Sequence, residues 1–427
     1  MYRDILTPYY LLKVFKHQRY LGNEPKKAQN KLLCRLIAEA YQNSPFYRKI
    51  FDGIKLTSKD IKETQDLKRL PVINRRQIRE ALEQGSILNR KYLKGSICRS
   101  TSGSSGLPLT VVYDIKSYAY TDAIYVRSLL KQGVRINDRI AYFWYEPFRK
   151  RSFWEKLGIF KKFEIIYTES EKLQFSRLEK IKPSVIISFP TLLLPLCERI
   201  KNKKVSFKPR IIITHGELLT EDTRKRIEEA FNACVVEQYD SNEFKTIAWQ
   251  CTEGGNFHIN DDSVFIETLN ENNEEIKEGE LGKIVITGLS NIAMPLIRYS
   301  VGDYGIKTNE ICRCGIISSM LKSIEGRGDD FIITPEKEII SPRRIGGILE
   351  KFESIREYKF LQEEITKFSL FIIPSGKFSN EDEMNIREAL SNVLSKGARL
   401  FIEKIQSMPR GKTGKIKAIE SRVSRYG

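Results

Sequence analysis

The sequence predicts an α/β protein with parallel sheet, a β-rich subdomain and a small α+β domain at its C-terminal end. Three observations carry that prediction. Short apolar runs at 138–144, 165–167, 185–188 and 211–214 alternate with segments of helical periodicity, the rhythm of strand–helix–strand units. From 257 to 304 the pattern changes to strands separated by turn residues. Beyond the glycine-rich break Gly326-Arg327-Gly328-Asp329-Asp330, about a hundred residues remain, enough for a separate small domain. The 427 residues, 41% hydrophobic, exceed one ordinary core, so a domain over 1–328 and another over 329–427 are expected.

Taken in order, Leu32, Leu33, Leu36, Ile37 and Ala40 repeat at helical spacing over 29–43, and Ser44-Pro45-Phe46-Tyr47 is expected to end that helix. Residues 70–74 form a short extended connection into a helix through Ile78 and Leu82. Ser100-Thr101-Ser102-Gly103-Ser104-Ser105-Gly106 then crowds five hydroxyls and two glycines before Leu107-Pro108-Leu109. So many small polar residues cannot pack a core. Glycine lets the main chain wrap an anion and hydroxyls add donors, so the segment suits phosphate. A flexible linker has the same composition, but Cys98-Arg99 before it and 109–113 after it read as strands, which makes it a tight turn. A helix over 117–132 and a buried strand over 138–144 follow, and 264–268, 283–288 and 295–299 read as further strands. Ligands in such folds gather beyond the carboxyl ends of strands. Thr214-His215-Gly216-Glu217 and Gln238-Tyr239-Asp240-Ser241-Asn242-Glu243 occupy that kind of position.

The formal net charge of +18 fits an anionic partner such as a nucleotide. Lys and Arg are spread along the whole chain with no basic tail or recognition motif, so a nucleic-acid partner is not expected. Seven cysteines, with Cys312-Arg313-Cys314 among them, point to a reducing, cytoplasmic compartment rather than a disulfide framework. Cys34, Cys98, Cys197 and Cys234 sit among apolar residues and are expected in the core. No run reaches the apolar length of a membrane span, so stable membrane insertion is not expected, and the aromatic, basic stretch 1–21 is expected to pack on the body.

Five short motifs fall in a set order: the hydroxyl-rich loop, Tyr239 to Glu243, Arg298-Tyr299-Ser300-Val301-Gly302-Asp303, Gly326 to Asp330, and Pro409-Arg410-Gly411-Lys412-Thr413-Gly414-Lys415. In this order and at these distances they resemble the adenylate-forming superfamily of acyl-CoA synthetases and adenylation domains. The length and Ser44-Pro45-Phe46-Tyr47 look most like the phenylacetate–CoA ligase branch, which includes CapK-like capsule-biosynthesis proteins and enzymes that adenylate a deazaflavin coenzyme. The resemblance runs from about Ser44 to Lys415 and implies a large N-terminal adenylate-forming domain and a mobile C-terminal one.

The resemblance implies roles by position. Thr101, Ser102, Gly103, Ser104, Ser105 and Gly106 would hold the ATP β- and γ-phosphates, with Leu109 standing where the family usually has lysine. Tyr239 would lie against adenine, within an ATP/AMP-binding set that also takes in Asp240, Ser241 and Asn242, and Glu243 would hold Mg²⁺, a hard cation that favours carboxylate oxygen. Asp240 and Asn242 depart from the family's Tyr-Gly-x-Thr-Glu, which touches the acyl pocket. That pocket is expected along Phe189-Pro190-Thr191, His215 and 238–240. His215, Gly216 and Glu217 match the loop flanking adenine, Asp303 would accept hydrogen bonds from both ribose hydroxyls with Arg327 assisting, and Asp329 matches the hinge. Lys415 would be the catalytic lysine, offsetting charge that builds at the α-phosphorus. The 411–413 segment is not a Walker loop, because Gln406 stands where its first glycine is required.

Cys251, His258, Cys312 and Cys314 supply three sulfurs and one imidazole, a closed tetrahedral set for structural zinc, and similar cysteines occur in members of the branch. Reduced cysteines in a turn are the alternative. The expected activity is ATP-dependent, Mg²⁺-requiring conversion of a carboxylic acid, aryl or arylacetic by the family default, to acyl-AMP and pyrophosphate. Acyl transfer to a thiol such as CoA follows. A carrier-protein thiol, or an amine or alcohol in surface-polysaccharide or secondary-metabolite synthesis, is the alternative acceptor. A homodimer is within what the resemblance allows. A non-catalytic, basic zinc-containing binding protein is the competing class. Retention of Lys415, Glu243 and Asp303 together weighs against it.

Overall fold

The computed structural model describes residues 2–21, 25–100, 108–144, 153–201, 205–376, 378–394, 397–408 and 416–423. The chain divides into two compact units: 1–135 with 152–157 and 238–323, and 136–151 with 158–237 and 324–427.

The first unit begins with helix Tyr2–Leu21, which packs on helix Ile115–Lys131 through Val14, Ala123 and Ile124 and an edge-on pair of Tyr10 and Tyr120. The helix Pro25–Asn43 ends at Ser44 as expected, and Ser44 also starts the next helix. Its hydroxyl accepts from the Tyr47 N–H and caps Pro45–Gly53, where proline at the first helical position sacrifices no hydrogen bond. Strands Ile97–Ser100 and Thr110–Tyr113 pair antiparallel, so the hydroxyl-rich segment joins two strands as expected. Leu109 is 1% exposed and serves the core, which a lysine there would leave with an unpaired charge. The unit's sheet runs in the order Val264–Leu269, Leu281–Gly288, Tyr299–Thr308, Met320–Arg327, Phe257–Ile259, Lys245–Gln250, Cys234–Ser241. Residues 295–298 are not a strand, against the sequence reading. Tyr47 donates to the Pro295 carbonyl and receives the Ile297 N–H, and Arg298 turns at φ 49° so that its guanidinium meets buried Glu267. Cys34 and Cys98 are likewise exposed rather than in the core, Cys34 donating to the Lys62 carbonyl, while Cys197 is buried as expected.

In the second unit, Lys161–Ile166, Arg139–Trp144, Val185–Ser188 and Ile211–His215 form successive parallel pairs, with Cys234–Ser241 continuing beyond them. The inner strands Val185–Ser188 and Ile211–His215 are buried on both sides, which is why they read as apolar runs, whereas the edge strand Lys161–Ile166 is half-buried and carries lysines. Helices Glu171–Ile181, Pro190–Lys201 and Glu221–Phe231 cover this sheet through Phe175, Leu178, Leu193, Leu196 and Ile227. Residues 332–422 fold around their own core of Ile345, Phe360, Phe368, Leu370 and Ile386. Its four strands are ordered Arg399–Lys404, Lys367–Pro374, Ile355–Glu364, Ile419–Ser421, with helices Pro342–Leu349 and Asn380–Ser391 packed against them. Among the described residues no helix is long and apolar enough to cross a membrane.

One polar interaction lies deep in the first unit. Arg127 on helix Ile115–Lys131 makes a bidentate pair with Asp262 at 2.6 and 2.8 Å and a third bond to Asn260 at 2.9 Å, all nearly without solvent. Asp262→Ala is expected to cost about 3–5 kcal/mol, because it strands a buried guanidinium. The double replacement Arg127→Met with Asp262→Leu should recover most of that loss in urea unfolding, and a single variant as stable as the parent would refute the assignment.

Candidate nucleotide site

The first unit builds its site on a hairpin. Strands Cys234–Ser241 and Lys245–Gln250 pair with a bulge between Tyr239 and Asp240, and Lys245 turns back at φ 57°. The bulge re-aims the side chains that follow it. The tip Asn242-Glu243 is pinned from the neighbouring pair of strands. The Tyr113 hydroxyl donates to the carbonyls of Glu243 at 2.6 Å and Asn242 at 3.1 Å, and the Asn242 amide donates to the Ser100 carbonyl at 3.2 Å. Both strands that flank the hydroxyl-rich segment therefore touch the turn that carries Glu243. Thr101, Ser102, Gly103, Ser104, Ser105, Gly106 and Lys415 themselves lie outside the described residues.

Glu243 is 8% exposed. Burial pushes its carboxyl up, with Asp303 adding to the rise, while Arg75 opposes it. Arg75 Nη1 stands 3.9 Å from Glu243 Oε1, and the Tyr299 hydroxyl donates to the same oxygen at 3.5 Å. Carboxylate oxygen is the ligand type that a hard metal ion favours. Asp303 belongs to strand Tyr299–Thr308, where positions 300 and 304 face 285 and 283 on the partner strand, so 301–303 bulge outward over Gly302 at φ 87°. The Tyr239 hydroxyl donates to Asp303 Oδ2 at 2.6 Å, which fixes the direction of that carboxylate. Asp240 accepts twice from the Gln238 amide, at 3.0 and 2.7 Å, and Ser241 receives the Phe244 N–H.

The second unit carries the remaining residues. His215 ends strand Ile211–His215, with Phe189 5.1 Å and Tyr142 6.2 Å away between ring centres. Gly216 follows at φ 74°, a conformation that suits glycine. Glu217 accepts from the backbone and hydroxyl of Thr191. Arg327 ends strand Met320–Arg327, and Asp329 lies in the single turn Gly328–Asp330, whose Asp330 pairs with Lys417 at 2.7 Å. Burial raises the Asp330 carboxyl, and Lys417 opposes that rise.

A separate cluster lies at the rim of the first unit's sheet. The ligand atoms of Cys251, His258, Cys312 and Cys314 fall within 4.8 Å of one another, with Cys251 and Cys312 sulfurs 3.4 Å apart and Cys314 sulfur 3.3 Å from His258 Nε2. His258 Nδ1 is occupied by the Ser318 hydroxyl at 2.9 Å, which aims Nε2 at the sulfurs. Three thiols and an imidazole at this spacing fit a tetrahedral zinc ion.

Sequence reasoning missed Arg75, Tyr113 and Tyr299 as partners of Glu243. The only local signal was Asn74, a helix-capping residue immediately before an arginine, since the helix Arg75–Glu83 is aimed by a backbone bridge from Ile73 to Tyr299.

A family model for the CapK C-terminal domain matches residues 332–422. Phenylacetate–coenzyme A ligase of Thermus thermophilus is 26% identical over 322 residues, 71% of each chain. Protein CapK of Staphylococcus aureus is 26% identical over 436 aligned positions, covering 94% of this chain and 93% of that one. Among solved structures, 2-hydroxyisobutyryl-CoA ligase in its postadenylation state matches with a TM-score of 0.77 at 20% identity, over 94% of this chain and 90% of that one. Anthranilate CoA ligase in complex with anthranoyl-AMP matches with a TM-score of 0.57 at 14% identity, over 75% and 65%. The fold is that of the adenylate-forming ligases. Within that class the chain is similar to the phenylacetate–CoA ligases and to CapK, and its residues 332–422 match the CapK C-terminal domain.

Tyr239→Phe is expected to weaken ATP binding about fivefold in calorimetry, through loss of one hydrogen bond that orients Asp303, with the melting temperature nearly unchanged. Unaltered affinity would remove Asp303 from the nucleotide site.

Proposed function

We propose that this chain activates a carboxylic acid as acyl-AMP, releasing pyrophosphate, and then passes the acyl group to a thiol such as CoA. The single observation that carries the reading is the convergence on one hairpin tip: buried Glu243, Asp303 held by Tyr239, and both strands flanking the hydroxyl-rich loop. Asp303 would take the ribose hydroxyls, since a carboxylate offers paired acceptors to a vicinal diol. Tyr239 fixes that carboxylate, and Arg75 keeps Glu243 from standing alone as a buried charge. Glu243 would hold Mg²⁺, which supplies neutralisation of phosphate charge during displacement at the α-phosphorus. The segment 101–106 would cradle the departing phosphates and Lys415 would face the attacked phosphorus. His215, Phe189 and Tyr142 offer an aromatic surface suited to an aryl acid. The relatives' names support CoA as acceptor.

The match to CapK over 94% of this chain favours a second acceptor, an amine or alcohol in surface-polysaccharide synthesis. The two share the adenylation step and part only at acyl transfer. Cys251, His258, Cys312 and Cys314 would hold zinc; with four protein ligands no position stays open for catalysis, so the ion would tie strand ends together.

Two outcomes are expected. Pyrophosphate release with a panel of aryl, arylacetic and short-chain acids should identify a substrate, and Lys415→Ala should lower that release by at least about a hundredfold with the fold intact. Release that persists in the variant would overturn the mechanism. Protein purified without chelator should carry one zinc per chain by elemental analysis, and Cys312→Ser should lose it and melt roughly 5–10 °C lower. Metal-free parent protein with the same melting point would refute the zinc site.

A further inference from the structure

Glu217 does something that nucleotide binding by itself does not require. Its Oε2 accepts from the Thr191 N–H at 3.2 Å and the Thr191 hydroxyl at 2.8 Å, while Oε1 accepts from the Ile416 N–H at 3.2 Å. One carboxylate thus spans the start of helix Pro190–Lys201 and the position immediately after Lys415 in the sequence. The Ile416 side chain is buried with Met408 and Ile373, so the main chain at 416 is anchored on both its polar and its apolar side.

The same short segment grips the 332–422 domain at two more points. The Leu219 carbonyl accepts from Arg343 Nη1 at 2.7 Å, and Thr220, the cap of helix Glu221–Phe231, donates to Glu350. Glu350 also accepts from Thr223, and from Tyr358 at 2.8 Å. Residues 217–220, next to the loop assigned to adenine, are therefore a docking platform for the C-terminal fold. An anionic oxygen facing a backbone N–H gives a stronger, shorter-ranged tie than an amide would. In a ligase whose small domain turns about Asp329 between half-reactions, a bond from 217 to 416 exists in only one pose.

We propose that Glu217 is a positioning residue for adenylation, registering the chain beside Lys415 against the nucleotide loop, and that the bond is released for acyl transfer. The proposal rests on the ligase reading above. The test pairs a conformational readout with a split between half-reactions, in the full chain, for Glu217→Ala, Glu217→Gln and Thr191→Val. Hydrogen–deuterium exchange at the Ile416 amide should speed up about tenfold or more in Glu217→Ala and less in Glu217→Gln. ATP–pyrophosphate exchange should fall about 10–100-fold in Glu217→Ala, and by a clearly larger factor than CoA transfer from chemically prepared acyl-adenylate. Thr191→Val should give a smaller loss in the same half-reaction, since it frees one side of the carboxylate. Unchanged amide exchange, or equal loss in both half-reactions, overturns the proposal. A parent protein that exchanges no pyrophosphate with any acid overturns the ligase reading and the purpose of the tie with it, an outcome separate from an active parent and an equally active Glu217→Ala.

Discussion

A carboxylate that must stay nearly dry sets the terms for the first unit. Glu243 lies in the three-residue turn 242–244, whose Phe244 is buried beside Tyr299, and the burial of Glu243 carries an electrostatic cost. The fold answers with Tyr113, whose hydroxyl ties down both carbonyls of the tip, and with Arg75 and Tyr299 at the carboxylate. Tyr113 ends the strand that leaves the hydroxyl-rich segment, so the contact that steadies Glu243 also fixes one exit of that segment. Ser100, at the other exit, is held by Asn242. In the proposed ligase, a phosphate loop and a metal-binding carboxylate would need a constant spacing, which this pair of contacts would supply.

Asp303 solves a related problem by another device. A strand interior would point its side chain into the sheet or straight out of it. The bulge opposite 283–285 and the positive φ of Gly302 turn it toward Tyr239 instead. Asp240, at the next bulge, is engaged by Gln238 and has its oxygens partly used.

In the second unit the platform at 217–220 couples an apolar sheet to a small domain through three polar contacts: Arg343 to a carbonyl, Thr220 to Glu350, Glu217 to an N–H. Polar, geometry-dependent contacts of this kind separate at less cost than an apolar face of equal area, because water replaces each lost bond. The release of the Glu217–Ile416 bond proposed above would draw on such contacts.

The sequence by itself determined the order of most elements, the parallel-sheet rhythm, the strands around the hydroxyl-rich loop, the Cys/His cluster and the resemblance to adenylate-forming ligases. Those features are written in short windows, where periodicity, glycine and motif spacing report local backbone states. Only the tertiary structure decided that Arg75 and Tyr113 serve Glu243, that Tyr239 orients Asp303, that Glu217 reaches Ile416, and that 295–298 is not a strand. These contacts join residues 56 to 199 positions apart, as in Tyr299 with Glu243 and Ile416 with Glu217. No local pattern encodes them, because their energy depends on burial and on partners that exist only once the chain has closed.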